Sequence, residues 1–399
     1  MFKDYRFDRQ ELAGSMGDLG ALLPIAIAMV LFNGLNPLGL FLSIGLFYLL
    51  SGFYFGVTVP VQPMKVIGAY AIATAMSADQ IMASGLLMGA SLFVIGATGA
   101  IDLIRRITPK PVIRGVQLST GALLISGGIK FIIGTSTYQK LQGAVEPHLA
   151  LQSLGPVPVS LVIGAIAALA TLYLLNSKKC PAALFVVLGG IAAGLALGAR
   201  IDLGTGGLGL HLPELLPFGF PERADFTFAL FALVLPQLPM TVGNAVLAYT
   251  DLSREYFQER SAKLTNRSAC LSMALANFFS FCVGGMPLCH GAGGLAAHYC
   301  FGARTAGSNV MIGGFFIAVA VLLGQDVIAI FNLLPMSILG VLLVYAGLQL
   351  ALTIMDLEGR KEYFVAALIL GITLASNLAA GFITGMIVAQ LLKWEKLSV

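Results

Sequence analysis

Charge is what this chain has least of: 11% of its 399 residues are Asp, Glu, Lys or Arg, against roughly a quarter in average soluble domains. A water-facing surface cannot be built from that inventory, so a soluble globular protein is excluded. Disulfides are missing too. The cysteines, Cys180, Cys270, Cys282, Cys289 and Cys300, are odd in number and lie mostly in apolar stretches, which predicts reduced, packed thiols. Catalytic signatures are also absent: there is no Gly-x-Ser-x-Gly, no His-Glu-x-x-His and no phosphate-binding Walker loop. This argues against an enzyme and against ATP-driven pumping by this chain. Cys289, His290, His298 and Cys300 do not make a metal site. Neighbouring ligands on one helix cannot converge on a tetrahedral ion, and no CxxC pair exists. No metal, cofactor or nucleic-acid partner is expected, and the net charge of +4 says little about partners.

What the chain has is hydrocarbon. Hydrophobic residues make up 58% and mean hydropathy is +0.90. Apolar runs near 20 residues, long enough to cross a bilayer core, recur throughout. Forty-seven glycines suit membrane helices that must approach closely without a hydrophobic drive for association. The predicted segments are 14–32, 39–56, 62–76, 79–104, 112–134, 156–176 and 181–199, then, after a Gly/Pro-rich stretch at 203–223, 225–248, 264–282, 287–299, 307–324, 336–355, 361–378 and 380–394. The lipid bilayer is thus the first partner, and the fold class is an all-α polytopic membrane protein of about fourteen segments. The opening MFKDYRFDRQEL mixes acids, bases and aromatics, which predicts an amphipathic cytoplasmic segment and no cleavable signal peptide. No appended soluble domain is expected.

The positive-inside rule supports this threading. With both termini cytoplasmic, eighteen Lys and Arg fall in inner loops, and only Lys140, Arg200 and Arg223 in outer ones. The expected location is the plasma (inner) membrane. Two segments are short: 62–76, opened by VPVQPMK, and 287–299, opened by GGMPLCHGAGG. Pro63 and Pro287 are 224 residues apart, and Gly115-Val116 and Gly340-Val341 are 225 apart. Equal offsets predict a duplication, and seven segments per copy make it a 7+7 inverted repeat, residues 1–200 and 224–399. Paired interrupted helices in such repeats mark a transporter's midplane site.

A helix starting inside the membrane leaves first-turn N–H groups unpaired, tolerated only where they line a polar cavity. The β-branched run Val57–Val61 reads as a short strand, with Pro63 and Pro287 at first helical positions. Gly291, Gly293 and Gly294 would let a ligand touch backbone. Two such N-termini aimed at one point favour an oxyanion. Lys65 is a counter-charge for that anion or a side chain snorkelling to the interface. Gln62 donates to the ligand or bonds structurally, and Met64 and Cys289 flank the same turns. His290 is an anion donor, a proton carrier or a structural group bonded to backbone. Asp18 carries a coupling proton, pairs with Lys65 or sits near the cytoplasmic interface. In LPQLPMTVGN, Pro239 is read as matching Pro24, which would turn Gln237 or Thr241 toward the cavity.

VPVQPMK (59–65) and GGMPLCHGAGGLAAHYCFGAR (284–304), with GDLG (17–20) and LPQLP (235–239), resemble the molybdate transporter family, related to the SulP sulfate permeases. The likeness covers nearly the whole chain. It implies the SulP and uracil-permease fold, with a core domain at about 12–107 plus 224–325 and a gate domain at about 108–200 plus 326–394. It also implies that substrate sits between the half-helices and that the cytoplasmic STAS domain of SulP members is absent. The function implied is secondary uptake of molybdate, with protons as coupling ion. Sulfate in place of molybdate and a homodimer stay open. An anion channel or a nucleobase permease fits less well.

Overall fold

In hydrocarbon every backbone N–H and C=O must find a partner within the protein, and the helix does this locally. The computed structural model describes residues 5–101, 103, 107–174, 177, 182–200 and 209–394, and these are mostly helical. Cys180, Lys3, Arg105, Arg106, Lys178, Lys179 and Lys396 lie outside the described residues. The chain opens with α1 (Arg9–Ser15), capped by Asp8, whose side chain accepts from the Gln10 and Glu11 amides. It bends by 46° into α2 (Leu19–Asn33). Then come α3 (Pro37–Phe55), β1 (Gln62–Pro63), α4 (Lys65–Thr74), α5 (Ala78–Thr98), α6 (Lys110–Ile133), α7 (Thr137–Gln142), β2 (Ser153–Leu154), β3 (Val157–Pro158), α8 (Val159–Leu174) and α9 (Ala182–Ala196). The remainder holds α10 (Arg223–Ser261), α11 (Asn266–Val283), β4 (Leu288–Cys289), α12 (Ala292–Cys300), α13 (Gly307–Leu323), α14 (Val327–Phe331), α15 (Met336–Ala351), α16 (Arg360–Ala375) and α17 (Leu378–Leu391). Along α10 the ladder widens to π-helical turns at Leu230–Val234 and Thr241–Ala248, on either side of Pro236 and Pro239, which have no N–H to give.

Among the described residues six helices are long and apolar enough to cross a membrane, and the bent α1–α2 pair makes a seventh. Several other apolar segments form shorter helices, including α4, α8 and α17.

The two short segments meet. β1 pairs antiparallel with β4, Gln62 opposite Cys289 and Pro63 opposite Leu288, and the Met64 amide donates to the Pro287 carbonyl at 3.0 Å. This corrects two expectations. The strand lies at Gln62–Pro63, not Val57–Val61, and neither proline starts a helix: Pro63 is in β1 and Pro287 precedes β4. Each segment spends its extended residues on the other before turning helical, and a proline without an N–H costs such a two-residue ladder little. Two buried asparagines complete the backbone pairing. Asn277 on α11 accepts from the Leu288 amide at 3.0 Å and donates to its carbonyl at 2.8 Å. Asn309 on α13 accepts from the Val59 amide at 2.9 Å and donates to its carbonyl at 2.8 Å. Each asparagine acts as a one-residue strand partner, satisfying groups that lipid could not.

Glycine sets the closest helix approaches. A Cβ on Gly45 of α3 would lie 2.8 Å from the Gly313 carbonyl oxygen of α13, and the converse distance is also 2.8 Å. The same reciprocity links Gly121 to Gly347 between α6 and α15. A methyl group at any of these four positions would push the helix pair apart.

Candidate functional site

Because β1 and β4 run antiparallel, α4 and α12 follow the crossing from opposite ends of the same strand pair. A cavity of about 610 Å³ opens there, walled by Lys65, Gly17, Gly20, Asn244 and Gly293 on one side and by Gln117, Tyr345, Gln349 and Thr353 of α6 and the α15 end on the other. A larger cavity of about 1060 Å³ between α3 and α11 is lined mostly by apolar side chains such as Leu46, Leu50, Leu271 and Leu275, and it has none of the half-helix donors.

The two N-termini differ. At α4, Gln237 Oε1 accepts from the Val66 amide at 2.9 Å and the Ile67 amide at 3.3 Å, while its Nε2 donates to Thr241 at 2.8 Å. Gln237 and Thr241 are buried and outside the cavity wall. The expectation that they turn toward the cavity is not met: Gln237 caps the half-helix, whose own N-cap, Met64, offers no side-chain acceptor, and Thr241 holds Gln237 in place. Lys65 is the first residue of α4 and borders the cavity. It forms no ion pair among the described residues. At α12 no side chain caps the first turn, whose N-cap is Gly291.

The glycines divide by role. A Cβ on Gly293 would meet nothing within 4 Å, and Gly293 borders the cavity. Gly291 and Gly294 do not border the cavity with it and are packed closely instead. A Cβ on Gly291 would collide with Gln62 Oε1, and one on Gly294 would lie 2.6 Å from Gln62 Nε2 and 2.7 Å from Asp18 Oδ2. Gln62 thus lies buried against the start of α12. Met64, Pro63, Pro287 and Cys289 belong to the crossing itself, the Cys289 thiol lying 3.6 Å from the Pro63 carbonyl. His290 turns away from the cavity. Its Nδ1 lies 3.0 Å from the Pro60 carbonyl and its Nε2 3.1 Å from the Ser272 hydroxyl, with its ring packed among Phe47, Phe55 and Tyr249. Both nitrogens are engaged by structural partners, so the anion-donor reading gives way to the structural one.

Asp18 sits at the α1–α2 bend, 4% exposed, and its expected pairing with Lys65 does not form. Its Oδ1 lies 3.1 Å from His298 Nε2 and accepts from the Tyr48 hydroxyl at 3.2 Å. His298 Nδ1 lies 2.9 Å from the Thr58 hydroxyl, which accepts from Ser308 at 2.7 Å. Sequence reasoning did not single out Asn244, which borders the cavity, or Tyr48 and His298, which gather around Asp18. The signal for His298 was its lone polar ring inside an apolar half-helix. Among the described residues no group of three or more His, Cys, Asp or Glu side chains can hold a metal ion.

A cavity that mixes apolar walls with Lys65, Asn244, Gln117 and Gln349, beside two half-helices in a bundle of apolar helices crossing at glycines, defines a membrane transporter. Solved structures carry the same fold. The transmembrane domain of a cyanobacterial bicarbonate transporter, BicA, matches with TM-score 0.66 at 16% identity, covering 96% of this chain and 97% of that one. Murine SLC26A9, an anion transporter in its inward-facing state, matches with TM-score 0.67 at 14% identity, over 98% and 69%. A family model described as "Molybdate transporter of MFS superfamily" matches residues 10–124 and 229–350, which include both half-helices. Molybdate transporter 2 of Arabidopsis thaliana is 30% identical over 97% of this chain and 88% of its own length. Molybdate transporter 1 of Chlamydomonas reinhardtii is 29% identical over 94% and 90%. The chain belongs to the molybdate transporter family, and it is a membrane transporter, not an enzyme.

Proposed function

We propose that the chain takes up molybdate by secondary active, proton-coupled transport, with the oxyanion held between the N-termini of α4 and α12. The observation that carries this is Lys65 and the uncapped first turn of α12 bordering one cavity. A cation with no ion-pair partner in the interior is costly, and a dianion beside it relieves that cost. Backbone N–H groups and a helix dipole add to the attraction.

The family membership and the anion-transporting neighbours support this reading. The element order α3, β1, α4, α5 is echoed by α11, β4, α12, α13, with a left-handed glycine, Gly56 or Gly284, ending the long helix before each strand. That correspondence supports the inverted repeat and its division into core and gate, with the cavity at their junction. Transport then follows as the core moves against the gate. The cavity wall includes Ser177 and Thr353, near positions that the charge asymmetry assigns to the cytoplasmic side, which supports a cavity that opens inward.

The test is uptake of radiolabelled molybdate into proteoliposomes with excess sulfate as competitor. Saturable, gradient-dependent accumulation that resists sulfate is the expected result. Equal competition by sulfate makes the protein a general oxyanion permease, and flux that never concentrates its substrate makes it a channel.

A further inference from the structure

We infer that Asp18 and His298 form the proton-binding pair of this transporter and that molybdate binding is linked to protonation of the pair. The inference rests on the uptake reading above and deepens it.

Both groups are buried. His298 has no exposed surface and Asp18 is 4% exposed, and they meet at 3.1 Å. They come from opposite ends of the sequence, Asp18 from the α1–α2 bend and His298 from α12, the half-helix whose first turn faces the cavity. A would-be Cβ on Gly17 comes within 2.9 Å of the Ala297 backbone, so the bend rides directly on α12. Gly17 and Ala297, the residues preceding Asp18 and His298, both border the cavity. The pair thus lies one residue behind the wall. Asp18 Oδ2 is buried with no hydrogen-bond partner among the described residues, which is spare acceptor capacity in a place where such capacity is costly to leave unused.

Charge counting gives the linkage. Lys65 and ionised Asp18 cancel, and among the described residues Lys65 is the one charged side chain in the cavity wall. A dianion adds two negative charges. The two helix N-termini return about half a charge each, so about one more positive charge is needed for balance. One proton converts imidazole–carboxylate, with net charge minus one, into imidazolium–carboxylate, with none. It comes from the aqueous side on which the anion enters and leaves with it on the other. The titratable and charged groups facing the pair are Tyr48 from α3, Lys65 from α4 and Cys289 from β4. The segment before β1 contributes Thr58, and α13 contributes Ser308; these hydroxyls do not titrate.

Two measurements test this. In weakly buffered detergent solution, addition of molybdate to the wild-type protein should take up about one proton per anion bound, the linkage that a dianion site of this charge requires. Anion binding without proton uptake would overturn the inference. In proteoliposomes, an inward proton gradient should raise wild-type molybdate uptake well above molybdate–molybdate exchange and acidify the lumen. In H298Q and D18N the ratio of gradient-driven to exchange flux should fall toward one, with loss of lumenal acidification. A purely structural role would lower both fluxes together and leave their ratio intact, and that result would overturn the assignment. If the variants do not fold, the wild-type proton count decides. Failure of the wild type to bind or move molybdate would instead overturn the function on which the pair depends.

Discussion

The two half-helices leave the same crossing yet present different chemistry to it. α4 brings a cation, Lys65, and has two first-turn amides taken by Gln237. α12 brings no charge and no cap, only backbone and the open face of Gly293. A symmetric site would offer an anion two equal sets of donors. On the proposed reading this one offers a point charge on one side and a row of amides on the other, which would fix an anion's place without cationic crowding. The two histidines differ likewise: of the readings open for His290, the structural one fits, since it bonds the scaffold before α12 begins, while His298 in the last turn of α12 meets the carboxylate.

Removing the cation should break the comparison most. Lys65→Met should weaken molybdate binding by about 10- to 100-fold, the value of a charge-assisted contact of about 1.5–3 kcal/mol, read by titration with the purified protein. The melting temperature without anion should not fall, because the variant removes an unpaired interior charge, whereas stabilisation by molybdate should vanish. Stripping the cap comes next. Gln237→Leu leaves the Val66 and Ile67 amides without their acceptor and should cost about 1–3 kcal/mol, measured by unfolding in detergent. An unchanged melting temperature would mean that α4 does not depend on this cap.

The glycines sharpen the contrast on α12 and give the smaller effects. Gly294→Ala forces a methyl group against Gln62 and Asp18 and should destabilise the protein by about 1–3 kcal/mol, as overpacking does. Gly293→Ala meets open space, so stability should hold while the KM for molybdate rises several-fold. Equal melting losses in the two variants would contradict the division between packed and open glycines.

Much of this architecture was legible in the sequence. Proline and glycine mark the interruptions at 59–65 and 284–294 because they are the residues that leave regular helix, and the apolar runs around them leave only a bilayer as solvent. The mutual pairing of β1 and β4 was not legible, since the paired residues are 225 (Pro63 to Leu288) and 227 (Gln62 to Cys289) positions apart and the strands only two residues long each. Nor were Asn277 and Asn309, whose amides satisfy the crossing backbone from helices that read as ordinary spans. At the site, Lys65 announced itself as a charge in an apolar run. Gln237 was expected to turn toward the cavity and instead accepts from the α4 amides, since nothing local distinguishes a side chain that accepts from backbone amides from one that donates to a ligand.

The most direct test of the central claim is to locate the anion. Anomalous scattering from molybdenum in crystals soaked with molybdate should give a peak beside Lys65 Nζ, between the first turns of α4 and α12. A peak confined to the arginine-lined face formed by Arg6, Arg260 and Arg304, with none near Lys65, would contradict the account.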